Sequence, residues 1–501
     1  MKKVLLVFPD ISHDPWHTGY FHLGLASISA YLKSRINNIE ITLLHVHNKN
    51  FSQAHFLEKI KELSPHIVGF TATAHSFPLI QQYAGWLKGL ERKEILVVCG
   101  GVHVTLDPEE ALTSSGIDAV ICGDGEYPME ALVKEWIGNR RIPNVTGIWY
   151  RENGKIINNG CSIVADLDSL PDPDWALFDY MNLSAPIQGV GGIRLSRGCP
   201  YQCSYCCNHT LSHLYGATGV NYVRFKSVKR SISEIKNFCQ KFPAISTLSF
   251  EDDILPLNPK WFSEFAEEYR RKINKPYWCN IRPNLVNDKI AEVLASSGCI
   301  RAGIGIESGN ETVRNEILKR NILDTTITTA VSLLRHHNIY IYSFNMVGLP
   351  KETNTELLDT IRMNANLGID EIQCTILYPY KYTAIYDLCL QNGLPIHPKW
   401  LIELRRETLL KFDYAQKNRI YFTELTINLV AKLYAMLPNP LKELFLKTLY
   451  SYLSAVLFLP ILNILLKRLL ASKHLGSGMK KIYRLVIPLP STNKNYPIDH
   501  A

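Results

Sequence analysis

Five short apolar runs in the first 140 residues constrain this chain more than any other feature of it. VLLVF (4–8), ITLLHV (41–46), IVGFTAT (67–73), ILVVCGG (95–101) and AVICGDG (119–125) are almost continuously hydrophobic. A strand that is apolar at successive positions must be covered on both faces, and helix-flanked parallel sheets provide that cover. Between the runs lie stretches with helical apolar spacing: GLASISAYLKSR (24–35), HFLEKIKEL (55–63), LIQQYAGWLKGL (79–90) and PMEALVKEWI (128–137). The alternation predicts an α/β fold whose first domain, residues 1–142, is a doubly wound, Rossmann-like parallel sheet. Glycines gather where strands end, in Gly100-Gly101-Val102-His103 and Gly123-Asp124-Gly125-Glu126. Ligands of such sheets sit outside the carboxyl ends of the strands, so these loops are expected to line a crevice. Turn formation alone is the competing reading of the same glycines.

Residues 143–190 read as a hairpin and linker. GIWYRENGKIINNG (147–160) carries Asn153-Gly154 at its turn, and an Asp- and Pro-rich stretch follows over 166–174. A second alternation fills 191–400, with strands at 192–196, 245–253, 277–284, 300–308, 340–350 and 371–379. Six βα-type units predict a partial (βα)6 barrel with chemistry at the C-terminal strand ends. Residues 401–501 read as all-helical.

The 501 residues are 46% hydrophobic and 20% charged, which excludes wholesale disorder, and the length suffices for a large core without disulfides. Only a short apolar stretch precedes Pro9 and Asp10, too little for a secretory core of about 7–15 residues, so a cytoplasmic protein is expected. The net charge of +8 is concentrated: nine basic residues and one acid lie between Lys432 and Arg484. With the rest near neutral, no nucleic-acid partner is expected. Residues 449–466 are mostly apolar but contain Pro460 and Asn463 and are flanked by Lys447, Lys467 and Arg468. A transmembrane helix needs about 20 apolar residues. Peripheral contact with the inner face of the membrane through 430–485 fits better, and a buried helical cap on the barrel is the competing reading.

Twelve cysteines in a cytosolic chain point to metal or redox chemistry. Cys199-Pro-Tyr-Gln-Cys203-Ser-Tyr-Cys206 follows the first barrel strand directly. Three thiolates so spaced can each hold one iron of a cubic [4Fe–4S] cluster, leaving the fourth open to an exogenous chelate. Zinc is the competing reading, but no second Cys or His pair lies nearby at zinc spacing. Cys207 is expected to be a bystander.

This CxxxCxxC loop on a βα barrel resembles the radical SAM superfamily. Other segments agree in order: Phe250-Glu251-Asp252-Asp253, Gly305-Ile306-Glu307-Ser308-Gly309, and Met346-Val347-Gly348-Leu349-Pro350, continuing GLPKET where the family has GLPGET. The resemblance implies that Cys199, Cys203 and Cys206 hold the cluster. It places Tyr205, Asp252, Asp253, Glu307 and Gly348 around S-adenosylmethionine. A doubly wound domain before such a barrel is similar to the cobalamin-binding class: GGVHVTLDPEEAL (100–112) resembles its GGPHxTxxPEE loop, and GDGEYPMEAL (123–132) its GEGE segment. Thr71, Gly100, Gly101, His103, Gly123 and Glu126 are then cobalamin contacts, His103 without an assigned role. The DxHxxG motif is absent, which leaves the lower ligand of cobalt open, and His13, His17, His45 and His47 read as surface or loop histidines.

The resemblance covers about residues 1–390. It implies a radical SAM enzyme that uses cobalamin, draws electrons from a flavodoxin- or ferredoxin-type reductant, and methylates an unactivated carbon of a lipid or other small-molecule natural product. Radical cyclisation or rearrangement without methyl transfer is the alternative reaction. A non-catalytic corrinoid-binding scaffold at the membrane surface is the alternative class.

Overall fold

A computed structural model describes residues 2–10, 17–47, 51–88, 95–394 and 408–456. The first sheet has seven strands in the order β2-β1-β3-β4-β5-β6-β7. They are β1 (Lys2–Pro9), β2 (Ile39–Val46), β3 (Ile67–Thr71), β4 (Leu96–Gly100), β5 (Ala119–Ile121), β6 (Ile148–Glu152) and β7 (Lys155–Ile157). The first five run parallel, as their apolar runs require, and alternate residues of each strand go to opposite cores. Leu6, Val98 and Ile121 pack on one face, and Leu5, Val7, Val97 and Val120 on the other. The helices are α1 (Leu23–Arg35), α2 (Gln53–Leu63), α3 (Phe77–Lys88), α4 (Val102–Leu106), α5 (Pro108–Thr113) and α6 (Glu126–Asn139).

Chain direction across the sheet reverses between β1 and β3, where such folds open a crevice. The predicted hairpin forms, with Asn153 and Gly154 both at positive φ (51° and 78°), and adds antiparallel to β5 rather than standing apart as a linker.

The second sheet has six parallel strands in the order β15-β14-β13-β12-β11-β8. A short ribbon of β9 (Ser196–Arg197) and β10 (Arg224–Phe225) follows β8 (Val190–Ile193). Helix α7 (Cys207–Gly216) lies between the two ribbon strands. Then come α8 (Val228–Lys241), β11 (Thr247–Phe250), α9 (Pro259–Lys272), β12 (Tyr277–Ile281), α10 (Asp288–Ser296) and β13 (Cys299–Glu307). The barrel ends with α11 (Asp324–His336), β14 (Tyr340–Val347), α12 (Asn354–Asn366), β15 (Glu371–Ile376) and α13 (Ala384–Gln391). Sequential parallel pairing with unpaired outer edges makes this a half-barrel.

Helix α14 (Tyr414–Met436) covers the edge at β15. Asn428 there accepts from the Ile372 N–H at 2.8 Å and donates to the Ile372 carbonyl at 2.5 Å, occupying backbone groups that an edge strand would leave open. Two short helices, α15 (Asn439–Leu444) and α16 (Ser451–Val456), follow. Val430, Ala431, Tyr434, Leu446 and Tyr450 are buried, so this part of 430–485 serves as a cap. Most of the apolar 449–466 segment lies outside the described residues. No helix among the described residues is long and apolar enough to cross a membrane.

Candidate active site between the two sheets

The cysteine loop runs from β9 to the start of α7. Backbone and side-chain bonds fix its centre: Ser204 N–H donates to the Leu318 carbonyl at 3.0 Å and Ser204 Oγ to the Ile317 carbonyl at 2.6 Å. Arg282, at the end of β12, lies 3.8 Å from the Tyr201 ring centroid and donates to Cys203 Sγ at 3.5 Å.

Burial pushes the Cys199 thiol up to about 11, and a hydrogen bond with Cys207, then burial, raises Cys206. Bound iron is the charge that would reverse those shifts. Among the described residues, the donor group compact enough for a single ion is Asp10, His45 and His47, not the cysteines. That suits a cube, in which each thiolate meets a different iron, better than one zinc ion.

The acids at the strand ends divide by burial. Asp252 is 1% exposed, and its carboxylate accepts from the Leu195 N–H at 3.1 Å and from Ser196 Oγ at 2.5 Å. Burial raises its pKa against those bonds. It therefore holds the chain just ahead of the cysteine loop, while Asp253 stays exposed with Asn208 Nδ2 at 3.3 Å. Glu307 sits at φ 67° where β13 slips register against β14, which turns its side chain toward Arg320 Nη1 at 3.2 Å. The same Arg320 nitrogen donates to Tyr205 Oη at 2.6 Å, joining the residue before Cys206 to the β13 end. Gly348, at φ 76°, donates its N–H to Glu352 Oε2 at 2.6 Å. Glu352 is buried and raised to about 8 by that burial, and its Oε1 has no hydrogen-bond partner.

In the first domain, Thr71, Gly100, Gly101, Gly123 and Glu126 line one cavity of about 360 Å³ that runs past Leu6 and Gly69 into the sheet at the β1/β3 reversal. Gly101 has no room for a side chain, since a Cβ there would lie 2.6 Å from the Ala72 carbonyl oxygen. His22 also lines the cavity. Its Nδ1 accepts from the Leu25 N–H as the N-cap of α1, and burial lowers its pKa to about 4. The neutral ring thus carries its proton on Nε2, directed at Thr71 Oγ1 at 3.4 Å. His103 is not among the lining residues; from α4 its ring packs on Phe77, with centroids 4.2 Å apart. A cavity lined by apolar side chains and several glycines fits part of a corrinoid.

The two sites are fastened to each other. Arg197, just ahead of Cys199, donates to Glu126 Oε1 at 2.7 Å and pairs with Asp124 Oδ1 at 3.1 Å. Arg224 holds Asp124 Oδ2 at 2.6 Å. On the far side Lys381 reaches Asp107 at 2.8 Å, and Tyr380 Oη meets His75 Nε2 at 2.9 Å. Arg197, Arg224 and Lys381 are absent from the sequence-based set, because nothing local marks an arginine that pairs across a domain boundary. Glu126 is a clamp residue as much as a cavity wall.

Comparison with known proteins agrees with this architecture. Residues 18–133 match the B12 binding domain and residues 193–363 the Radical SAM superfamily. The chain belongs to the cobalamin-binding radical SAM enzymes, whose cofactors are a [4Fe–4S] cluster, S-adenosylmethionine and cobalamin. It is 28% identical to an uncharacterized methyltransferase, PH0819, of Pyrococcus horikoshii, over 84% of this chain and 90% of that one. It is 24% identical to the anaerobic magnesium-protoporphyrin IX monomethyl ester cyclase of Rubrivivax gelatinosus, over 77% of this chain and 69% of that one. The fold is that of the cobalamin-dependent S-adenosylmethionine radical enzyme OxsB, solved with aqua-cobalamin bound (TM-score 0.68, 14% identity, 97% of this chain and 75% of that one).

Proposed function

We propose that this enzyme methylates an unactivated carbon of a lipid or other apolar natural product. The observation that carries the reading is the clamp of Arg197 between the cysteine loop and Asp124 and Glu126. It holds the cluster loop against the corrinoid cavity, so one substrate can meet both cofactors. When bound, the cluster, S-adenosylmethionine and cobalamin would supply a radical and a transferable methyl group. The protein's part is positional: Cys199, Cys203 and Cys206 to ligate iron, Asp253, Glu307 and the Gly348 backbone to orient S-adenosylmethionine, and the cavity at Thr71 and Gly101 to seat the corrinoid.

An apolar substrate is favoured by the C-terminal helices, where Leu433, Met436, Leu441 and Leu444 are 42–81% exposed beside Lys432 and Lys447. Apolar side chains with basic neighbours suit the surface of an anionic bilayer.

The relatives include both a protein named as a methyltransferase and one named as a cyclase. Incubating the reconstituted enzyme and a reductant with methyl-labelled S-adenosylmethionine and extract from the source cells separates the reactions. Label in the organic-extractable fraction is the expected result. Deoxyadenosine formed without label transfer would replace methylation by cyclisation or rearrangement, and label confined to water-soluble products would remove the lipid substrate.

A further inference from the structure

At the edge of the first sheet lies a polar cluster that the cofactor chemistry does not use. The histidines read as surface residues are gathered there around one carboxylate; His13 lies outside the described residues. Asp10, at the end of β1, is 7% exposed, and the His17 side chain is 4% exposed. His17 Nε2 lies 3.1 Å from Asp10 Oδ1, and His45 Nε2 lies 2.9 Å from Oδ2. His47 Nδ1 is 3.9 Å from the same Oδ2. The Tyr20 N–H also donates to Oδ2, at 2.6 Å.

Two strand features produce the arrangement. Parallel pairing of β1 with β2 sets Phe8 beside His45 and so brings Asp10 near the end of β2. The His-Val-His spacing then places both imidazoles on one side of the chain. Their ring centroids are 3.8 Å apart, too close for two imidazolium ions to sit comfortably. Gly19 makes room for them: a Cβ there would lie 2.3 Å from His47 Cε1 and 2.8 Å from His45 Cε1. The Phe8 ring, stacked on His45 at 5.0 Å and edge-on to His22 at 4.9 Å, separates the cluster from the corrinoid cavity.

We propose that Asp10, His45 and His47 form a binding site for a divalent transition metal of the zinc class, distinct from cluster and corrinoid. One ligand atom from each lies within 4.8 Å of the other two. A tetrahedral ion with bonds of about 2.0–2.1 Å sets its donors about 3.3 Å apart, inside the 2.9–3.9 Å range found between the carboxylate and the two imidazoles. Two imidazoles and one carboxylate select zinc or ferrous iron over calcium or magnesium, and a fourth position falls to water. His17, on the other carboxylate oxygen, positions Asp10 rather than ligating. Its Nδ1 lies 3.3 Å from Ser184 Oγ in the segment leading to β8, so the ion would tie the sheet edge to the approach to the barrel.

The test uses the full-length protein, stripped of loosely held metal, with zinc as the probe and a chromophoric chelator as competitor. One zinc per chain is expected, retained when Cys199, Cys203 and Cys206 are all replaced by alanine. Its affinity should fall on the order of 100-fold or more in His45→Ala/His47→Ala and in Asp10→Asn. Asp10→Asn keeps an oxygen for the Tyr20 N–H while removing the charge. Zinc should also raise the melting temperature of the parent chain and not that of Asp10→Asn. Zinc binding that disappears with the cysteines, or that survives unchanged in Asp10→Asn and the histidine variant, would overturn the proposal.

Discussion

Single residues decide which charges face the cofactors. Asp252 and Asp253 are identical neighbours in sequence, yet the first is buried against Leu195 and Ser196 and the second is exposed beside the Asn208 amide. Replacing Asp253 by Asn is expected to weaken S-adenosylmethionine binding with little effect on stability. Replacing Asp252 by Asn should instead cost about 1–3 kcal/mol of stability, read by urea unfolding. Glu352 gives a prediction in pH. Its folded-state value lies above the ordinary 4.5, at about 8, so its contribution is full in acid and is lost as pH rises through that window. Glu352→Gln keeps an acceptor for the Gly348 and Leu349 N–H groups and does not titrate. Its melting temperature should fall less than the parent's between those pH values; an identical slope would show that Glu352 is already ionised.

At the scale of elements, covering the barrel edge and clamping the loop are the decisive contacts. Asn428→Ala would strand the buried backbone N–H and carbonyl of Ile372, and about 2–4 kcal/mol of destabilisation is expected in urea. Arg197→Met would leave Asp124 to Arg224 and the Val164 N–H, and Glu126 to Ser27, at a cost of about 3–5 kcal/mol.

The strands of both sheets were legible because apolar runs of four to eight residues between helical repeats leave few other folds. Short α4 and α5 were not, since one turn of helix on either side of Asp107-Pro108 carries no periodicity. The cysteine loop was legible from spacing. The clamp was not, because Arg197 and Glu126 lie 71 residues apart and only the packed domains bring them together. The Asp10 cluster was hidden similarly, its histidines appearing in sequence as unrelated loop residues.

At the scale of the whole molecule, the first-domain cavity reaches the ribbon ahead of the cysteine loop through Ser196 and Arg197, and the capping helices expose apolar side chains beside lysines. Point substitutions suit that surface better than truncation, because residues past 430 include the buried Ala431, Tyr434, Leu446 and Tyr450. Met436→Glu with Leu444→Glu alters only exposed positions and is expected to reduce co-sedimentation with anionic phospholipid vesicles while leaving the melting temperature unchanged. Cys199→Ala should abolish the cluster and S-adenosylmethionine cleavage while cobalamin binding persists, because Cys199 is not among the residues that line the cavity.

The most direct measurement is anaerobic reconstitution with iron, sulfide and hydroxocobalamin, followed by incubation with S-adenosylmethionine, reductant and the organic-extractable fraction of the source cells. Retained corrinoid absorbance with both 5′-deoxyadenosine and S-adenosylhomocysteine among the products is the predicted result. Folded protein that assembles no cluster and cleaves no S-adenosylmethionine would contradict the account.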